Sequence, residues 1–259
     1  SSLFVAVSVF GQPMVNHLAL AALIWFVVCG LGYTEYSKRR AADRPCLSNT
    51  LDLYREDWMR VMLRRENRIA DASVVGNLER NGAFFASSCL LILAGIITAL
   101  GYTQEVMEVF STMPFGTLPT REIWELRMVV LLVVFIYAFF KFTWSMRMYN
   151  FVSLMVGSAP PPDDTKPSPA AREAFARSAG NICNLAGDAF NLGLRSYYYA
   201  LAVVGWFIHP IVFMAASTLV VIVLYRREFC STALEALRAG KVLEEPLPGK
   251  AESSAKPKS

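Results

Sequence analysis

Long stretches without any Asp, Glu, Lys or Arg constrain this 259-residue chain more than any other feature. Three of them are Met14–Thr34, Gly82–Thr103 and Ser196–Tyr225. About 20 apolar residues suffice for an α-helix to cross a hydrocarbon core of roughly 30 Å. Only 18% of the residues are charged, which is low for a soluble domain. The sequence therefore predicts an all-α integral membrane protein, and it excludes a cytosolic enzyme, a secreted disulfide scaffold and a nucleic-acid-binding domain.

The hydropathy pattern predicts about four transmembrane helices within a single membrane domain, residues 1–243. We expect these spans at about 14–35, 82–103, 128–149 and 196–225. The apolar part of the third span is too short to cross alone, so the helix should continue past Lys141. Its ammonium group is expected to snorkel to the membrane surface, and a buried functional lysine is the alternative.

Two amphipathic stretches connect the predicted spans. Apolar residues recur at helical spacing over about 47–80 and again over about 170–194, with arginines between them. We expect both to be cytoplasmic helices. Residues 159–169 are too rich in proline for a helix and predict a linker, and residues 244–259 predict a disordered tail.

The basic residues predict a topology but leave one conflict. Ten lie between Lys38 and Arg80, two are Arg121 and Arg127, six lie between Lys141 and Arg195, and seven follow. The positive-inside rule then predicts an external N-terminus, but four crossings would put the basic tail outside as well. Either Ser196–Tyr225 is one kinked span, which we favour, or it is a hairpin bent at His209-Pro210.

An internal duplication is a further possibility. At an offset of 114 residues, Asn77-Leu78 aligns with Asn191-Leu192, and Phe84-Phe85-Ala86 aligns with Tyr198-Tyr199-Ala200. This pattern indicates a parallel 2+2 repeat about an axis along the membrane normal. The alternative is that interfacial physics imposes the same residues on two similar helix junctions.

Polar residues cluster where the amphipathic stretches meet the spans, and we call them the polar collar. Its members are Asn67, Arg68, Asp71, Asn77, Arg80, Asn181, Asn184, Asp188, Asn191 and Arg195. Spacings of four residues put pairs of them on one helix face. Two facing collars would bind an ion or an anionic lipid head group. The favoured alternative is a structural lock of Arg–Asp pairs.

His209 is the other intramembrane candidate, because helical rise puts it near or beyond the midplane of its span. It could relay protons, although most such histidines only bond a neighbouring helix. Haem would need a second ligand, and His17 lies at the far end of the first span. We therefore expect no cofactor. The scattered cysteines predict no metal site, and an enzyme has little support because no nucleophile–base pair is present.

Several segments resemble the uncharacterised membrane family known as domain of unknown function number 599. They are Asn67-Arg68-Ile69-Ala70-Asp71-Ala72, Phe84-Phe85-Ala86-Ser87, Asn191-Leu192-Gly193-Leu194-Arg195-Ser196-Tyr197-Tyr198 and Leu224-Tyr225-Arg226-Arg227-Glu228-Phe229. The resemblance runs from about Leu18 to Ala233. It implies a multi-pass protein of the bacterial inner membrane, and it carries no activity, substrate or catalytic residue.

Two functional hypotheses follow. The first is a small channel or transporter-like protein that moves an ion or solute as a homo-oligomer, since four spans seldom enclose a pore alone. The alternative is a membrane adaptor or assembly subunit whose Arg-rich helices bind anionic lipid or a partner in a membrane complex.

Overall fold

The computed structural model describes residues 2–111 and 120–241, and within them the chain forms eight α-helices and no strand. The helices are α1 (Ser2–Asp43), α2 (Leu47–Met62), α3 (Ile69–Gly101), α4 (Thr103–Ser111), α5 (Arg121–Ser158), α6 (Pro169–Trp206), α7 (Pro210–Phe229) and α8 (Thr232–Lys241). Four of these, α1, α3, α5 and α7, contain segments long and apolar enough to cross a membrane. The predicted all-α membrane fold is confirmed. The predicted tail, 244–259, lies outside the described residues.

Aromatic rings fill the centre of the helix bundle, in a cluster that we call the ring core. Phe142 of α5 stacks on Phe85 of α3 with 5.2 Å between ring centroids. Tyr197 of α6 meets Phe135 edge-on at 5.3 Å. Buried rings gain both from the area they remove from solvent and from these stacked or edge-to-face arrangements. The ring core thus joins α3, α5 and α6 side by side.

A second core lies where three of these helices extend past the membrane. With 33 residues, α3 is about 50 Å long, so a bilayer of roughly 30 Å cannot cover it. Its charged first half therefore projects, together with the end of α5 and the start of α6, and α2 packs across them. This core, which we call the basic-end core, contains small and flexible side chains: Met59, Met62, Val75, Met148, Val152, Ala176, Ala179, Cys183 and Ala186.

The prediction of one helix over 47–80 is wrong, because the chain breaks between α2 and α3. The Asn67 side chain accepts the N–H of Ile69 at 2.9 Å, a local turn that competes with continued helix. The Arg68 guanidinium reaches instead to the end of α5. The break lets α2 turn back and pack mainly against α6, whereas a straight helix would carry its apolar residues into water.

The separation of a helix over 170–194 from a span over 196–225 is also wrong. The chain runs through this boundary as the single helix α6, and it reverses direction between Trp206 and Pro210. Proline lacks an N–H and disfavours helical backbone in the residue before it, and His209 is accordingly extended, with φ −159° and ψ 145°.

The hairpin between α6 and α7 replaces the favoured kinked span. Trp206 stacks on Phe213 with 4.7 Å between centroids just after the turn. Further from the turn, Arg195 pairs with Glu228 at 3.5 Å between nitrogen and oxygen. One pair lies close to the turn and the other far from it on both helices, so α6 and α7 must run antiparallel. Gly205 allows the approach, since a Cβ there would lie 3.2 Å from Val212.

This hairpin removes the conflict over the basic residues. Because α7 returns to the level of Arg195, the arginines at its end lie at the same end of the molecule as Lys38 and Arg195. We call this the basic end; Arg121 and Arg127 begin α5 at the opposite end. The 2+2 repeat stays a prediction: the offset matches α1 with α5, but the α2–α3 break and α7 have no counterparts.

Candidate functional site

A polar cavity of about 410 Å³ lies at the basic end, between α1, α2, α6 and α7. Its lining consists of Thr34, Ser37, Lys38, Ala41, Cys46, Ser48, Asn49, Asp52, Asp188, Asn191, Leu192, Arg195 and Glu228. The start of α2 forms one wall because the Cys46 sulfur accepts the N–H of Asn49 and so fixes the first turn of that helix. The cavity therefore lies between two pairs of helices, α1–α2 and α6–α7, that are distant from each other in sequence.

Glu228 is the most heavily bonded carboxylate of the polar cavity. One of its oxygens accepts the backbone N–H of Ser48 at 3.1 Å, and the other lies 3.5 Å from the Arg195 guanidinium. Arg195 also stands over the Tyr33 ring, 5.5 Å from its centroid. Glu228 therefore ties α7 to α2 through Ser48 and to α6 through Arg195.

Asp188 and Asp52 give the polar cavity its remaining negative charge. Asp188 is exposed and accepts the hydroxyl of Ser48 at 3.2 Å. Asp52 pairs with Arg55 at 2.8 Å. Burial, and next the charge of Asp188, raise the pKa of Asp52 above its ordinary value, and the Arg55 charge opposes this only in part. Among the described residues, Asp188 has no basic partner, so it is the free anion of the cavity.

An apolar groove of about 320 Å³ adjoins the polar cavity on the membrane side. It lies between α1 and α5, with α6 as its floor, and both spaces share Leu192 and Arg195. The other lining residues are Phe26, Val27, Gly30, Leu31, Val133, Val134, Tyr137, Ser196 and Tyr199. A polar space next to an apolar one is the shape that an amphipathic molecule requires.

The first half of the predicted polar collar lies outside this cavity and fastens helices together. Asp71, only 1% exposed, accepts the Trp58 indole N–H at 2.7 Å and an Arg65 N–H at 2.6 Å. Arg68 donates to the carbonyls of Ala159 and Pro160 at 2.6 and 2.7 Å. These contacts hold α2 and the end of α5 against α3, which is the geometry of the structural lock.

The second half of the collar divides between the cavity and the surface. Asp188, Asn191 and Arg195 line the polar cavity. Asn181 is exposed, and Asn184 is half-buried with its side-chain oxygen enclosed and without a hydrogen-bond partner. Asn77 and Arg80 are exposed and bond each other. The two predicted collars therefore do not form one ring.

The two intramembrane candidates have local roles in the structure. His209 precedes α7, and its Nδ1 accepts the N–H of Ile211 at 3.2 Å, so the imidazole caps the helix. Lys141 is half-buried, and its ammonium group lies 5.3 Å from the centroid of the Tyr137 ring. A proton relay through His209 would have to displace the capping bond.

Sequence reasoning missed Ser48, Asp52 and Glu228. Glu228 stands in a segment that carries the family resemblance, which is the one signal that could have drawn attention to it. Asp52 carries no comparable signal. In the described residues there is no group of three or more His, Cys, Asp or Glu side chains placed to hold a metal ion.

A family model described as "Protein of unknown function, DUF599" matches residues 21–233. The chain belongs to this family. The DUF599 match spans every residue of the polar cavity and the apolar groove, and it confirms the resemblance seen in the sequence. Neither the curated proteins nor the solved structures contain a match to the chain. The function of this DUF599 protein must therefore be argued from its own geometry.

Proposed function

We propose that this DUF599 protein is transporter-like and binds a small amphiphile that has a positively charged amine head and an apolar tail. The single observation that carries the proposal is the shared wall of the polar cavity and the apolar groove at Leu192 and Arg195. An amphiphile would put its head among the carboxylates at the basic end while its tail stays in the membrane.

The charge of the cavity selects the head group. Asp188 is exposed and bonded only to a neutral hydroxyl, whereas Glu228 already has the Arg195 guanidinium. A carboxylate without a basic partner attracts a cation, and an ammonium group supplies both charge and hydrogen-bond donors. An anionic head would meet three acidic side chains against the single charges of Arg195 and Lys38.

Transport by a carrier fits the packing better than a pore through one chain. Rings of Phe85, Phe142 and Tyr197 occupy the centre of the bundle, where a pore would run. The site opens at the basic end and sideways between α1 and α5, so exchange between the membrane and the aqueous side needs no central channel. Homo-oligomer formation stays a prediction that the mass of the purified particle would test.

The basic end faces the cytoplasm in this proposal, with the N-terminus outside, as expected for a bacterial inner membrane protein. Support comes from the arginines and lysines that flank the spans at that end, against Arg121 and Arg127 at the other. The alternative adaptor role has less support, because Arg60, Arg65 and Arg68 direct their donors to groups of their own chain.

Equilibrium binding of labelled dodecylammonium to the protein in phosphatidylcholine nanodiscs would test the proposal. We expect saturable binding above that of empty nanodiscs, weaker binding of butylammonium, and none of dodecanoate. Asp188→Asn should lower affinity about tenfold, because it removes a charge-assisted hydrogen bond. Equal binding of the carboxylate and the amine would contradict the proposal.

Matched variants separate the head from the tail. Asp163→Asn removes an exposed carboxylate from the linker and should leave binding unchanged. Gly30→Leu fills the apolar groove and should weaken dodecylammonium more than butylammonium. Gly32→Leu adds the same side chain outside the groove, where a Cβ meets nothing within 4 Å, and serves as its control. In liposomes, binding without movement of the amine between leaflets would reject transport and retain binding.

A further inference from the structure

Arg127 is a buried arginine at the end of the molecule opposite the polar cavity. It lies on the second turn of α5 and is only 5% exposed. Its guanidinium carbon stands 5.7 Å from the centroid of the Trp206 ring and 5.8 Å from that of Phe207. These rings belong to the end of α6 and to the turn that leads into α7. The positive charge is therefore enclosed between aromatic faces.

The donors of Arg127 lack acceptors among the described residues. Within the part of the chain that the structure describes, its guanidinium makes no hydrogen bond and no ion pair, and its Nε atom is enclosed without a partner. A guanidinium carries five N–H donors and stays protonated in proteins. Arg65 and Arg195, by contrast, each have a carboxylate. Buried charges are normally paired, so the isolation of Arg127 requires an explanation.

The carboxylates of this end do not supply the missing charge. Glu125 pairs with Arg121 at 2.7 Å, and the side chains of Glu105, Glu108 and Glu122 are exposed. The amino acids at 112–119, which connect α4 to α5, include no Asp or Glu. Aromatic faces offset part of the cost of burying a cation, but they satisfy no N–H donor. Among the residues that the structure describes, no group therefore satisfies these donors.

We propose that Arg127 is the binding group of an anion site at this end of the bundle, and that its ligand is an oxyanion of the carboxylate or phosphate type. The planar guanidinium fork matches such oxyanions with two parallel hydrogen bonds. The 20-residue helix α7 begins three residues after Phe207, and the positive end of its dipole adds to the attraction. The proposal is independent of the amine site, which lies at the other end and has the opposite charge.

Two sources could deliver this oxyanion, a free solute or the phosphate of an acidic phospholipid. We would titrate sodium phosphate against sodium chloride at equal ionic strength, in phosphatidylcholine nanodiscs, and follow tryptophan fluorescence. Trp206 contacts the guanidinium, so phosphate should change the emission saturably while chloride does not. Nanodiscs that also contain phosphatidylglycerol test the lipid source, with thermal stabilisation as the readout.

Substitutions identify the residue responsible. Arg127→Met keeps the apolar stem and should weaken phosphate binding about tenfold or more, since it removes charge-assisted hydrogen bonds. Arg127→Lys should bind with intermediate affinity, because it keeps the charge without the fork. Arg121→Met, at an exposed arginine of the same helix, should behave like wild type.

Each outcome decides the matter. A phosphate response in phosphatidylcholine supports a free oxyanion, and stabilisation confined to phosphatidylglycerol supports the lipid head group. A wild-type protein that responds to neither overturns the proposal, and so does an Arg127→Met variant that responds like wild type. If Arg127→Met fails to fold, the wild-type titration and its comparison with Arg127→Lys still provide the test.

Discussion

The two cores of this protein solve the same packing problem in different solvents. In the ring core, large aromatic side chains interlock, as in the contact of Phe142 with Phe85. In the basic-end core, alanines and methionines pack under a layer of ion pairs such as Arg65–Asp71. In lipid the hydrophobic effect does not drive helices together, so complementary side-chain shape must hold them. In water, by contrast, burial of any apolar side chain is favourable. The difference predicts which substitutions each core tolerates.

The largest expected effect is at the lock of the basic-end core. Asp71→Ala leaves the half-buried Trp58 indole N–H without its acceptor and takes the carboxylate from Arg65. We expect a loss of about 2–3 kcal/mol, discounted because Arg65 is partly exposed, and hence a fall of roughly 4–12 °C in melting temperature. Thermal unfolding of the purified protein measures this fall.

The control is Glu35→Ala, which removes a carboxylate from an exposed pair with Arg39 and should not change the melting temperature. Equal melting of Asp71→Ala and wild type would show that the lock carries no stability.

A smaller loss of stability is expected when a side chain is added to the tightly packed ring core. A Cβ at Gly193 would lie 2.6 Å from the Phe142 ring, so Gly193→Ala should cost about 1–3 kcal/mol through overpacking. The double variant Gly193→Ala, Phe142→Leu should recover part of this loss, because the smaller side chain makes room. Gly95→Ala is the control, since a Cβ there meets nothing within 4 Å. Thermal unfolding that ranks the two glycine variants equally would contradict the interlocking account.

The smallest expected effect concerns pH. Because burial and Asp188 raise the pKa of Asp52, the folded protein holds this proton more tightly than the unfolded chain does. The resulting stabilisation is present at pH below the unfolded pKa, and it is lost as pH rises through the folded pKa. Asp52→Asn should therefore melt no lower than wild type at pH 7, and its melting temperature should vary less between pH 4 and pH 7. Asp163→Asn should keep the wild-type pH profile, and an unchanged profile for Asp52→Asn would refute the assignment.

The sequence predicts the helices well where charge ends and apolar composition begins. It predicts turns poorly, because the local signals at Asn67 and at His209-Pro210 are compatible with more than one path. An uncharged run of 30 residues looks the same as a kinked span and as a hairpin. Contacts across the turn, Trp206 with Phe213 and Arg195 with Glu228, decide in favour of the hairpin.

The candidate site shows the same limit. Helical spacing placed Asp188, Asn191 and Arg195 on one segment, and all three line the polar cavity. Ser48 and Glu228 belong to other helices, and only the tertiary fold brings them into hydrogen-bond distance. In the sequence, Arg127 is only one of two basic residues between the second and third predicted spans. No sequence pattern indicates that a side chain will be buried without hydrogen-bond acceptors.

The attachment of α1 has a consequence for biosynthesis. Of the eight helices, α1 leaves the ribosome first, yet its contacts, such as the bond from the Trp25 indole to Thr218, are mainly with α7. The two residues are 193 positions apart, so at about 5–20 residues per second the partner arrives roughly 10–40 s later. During this interval α1 must remain in the bilayer as a lone helix. Premature termination of translation before α7 would therefore leave α1 anchored but unassembled, exposed to the quality-control proteases of the membrane.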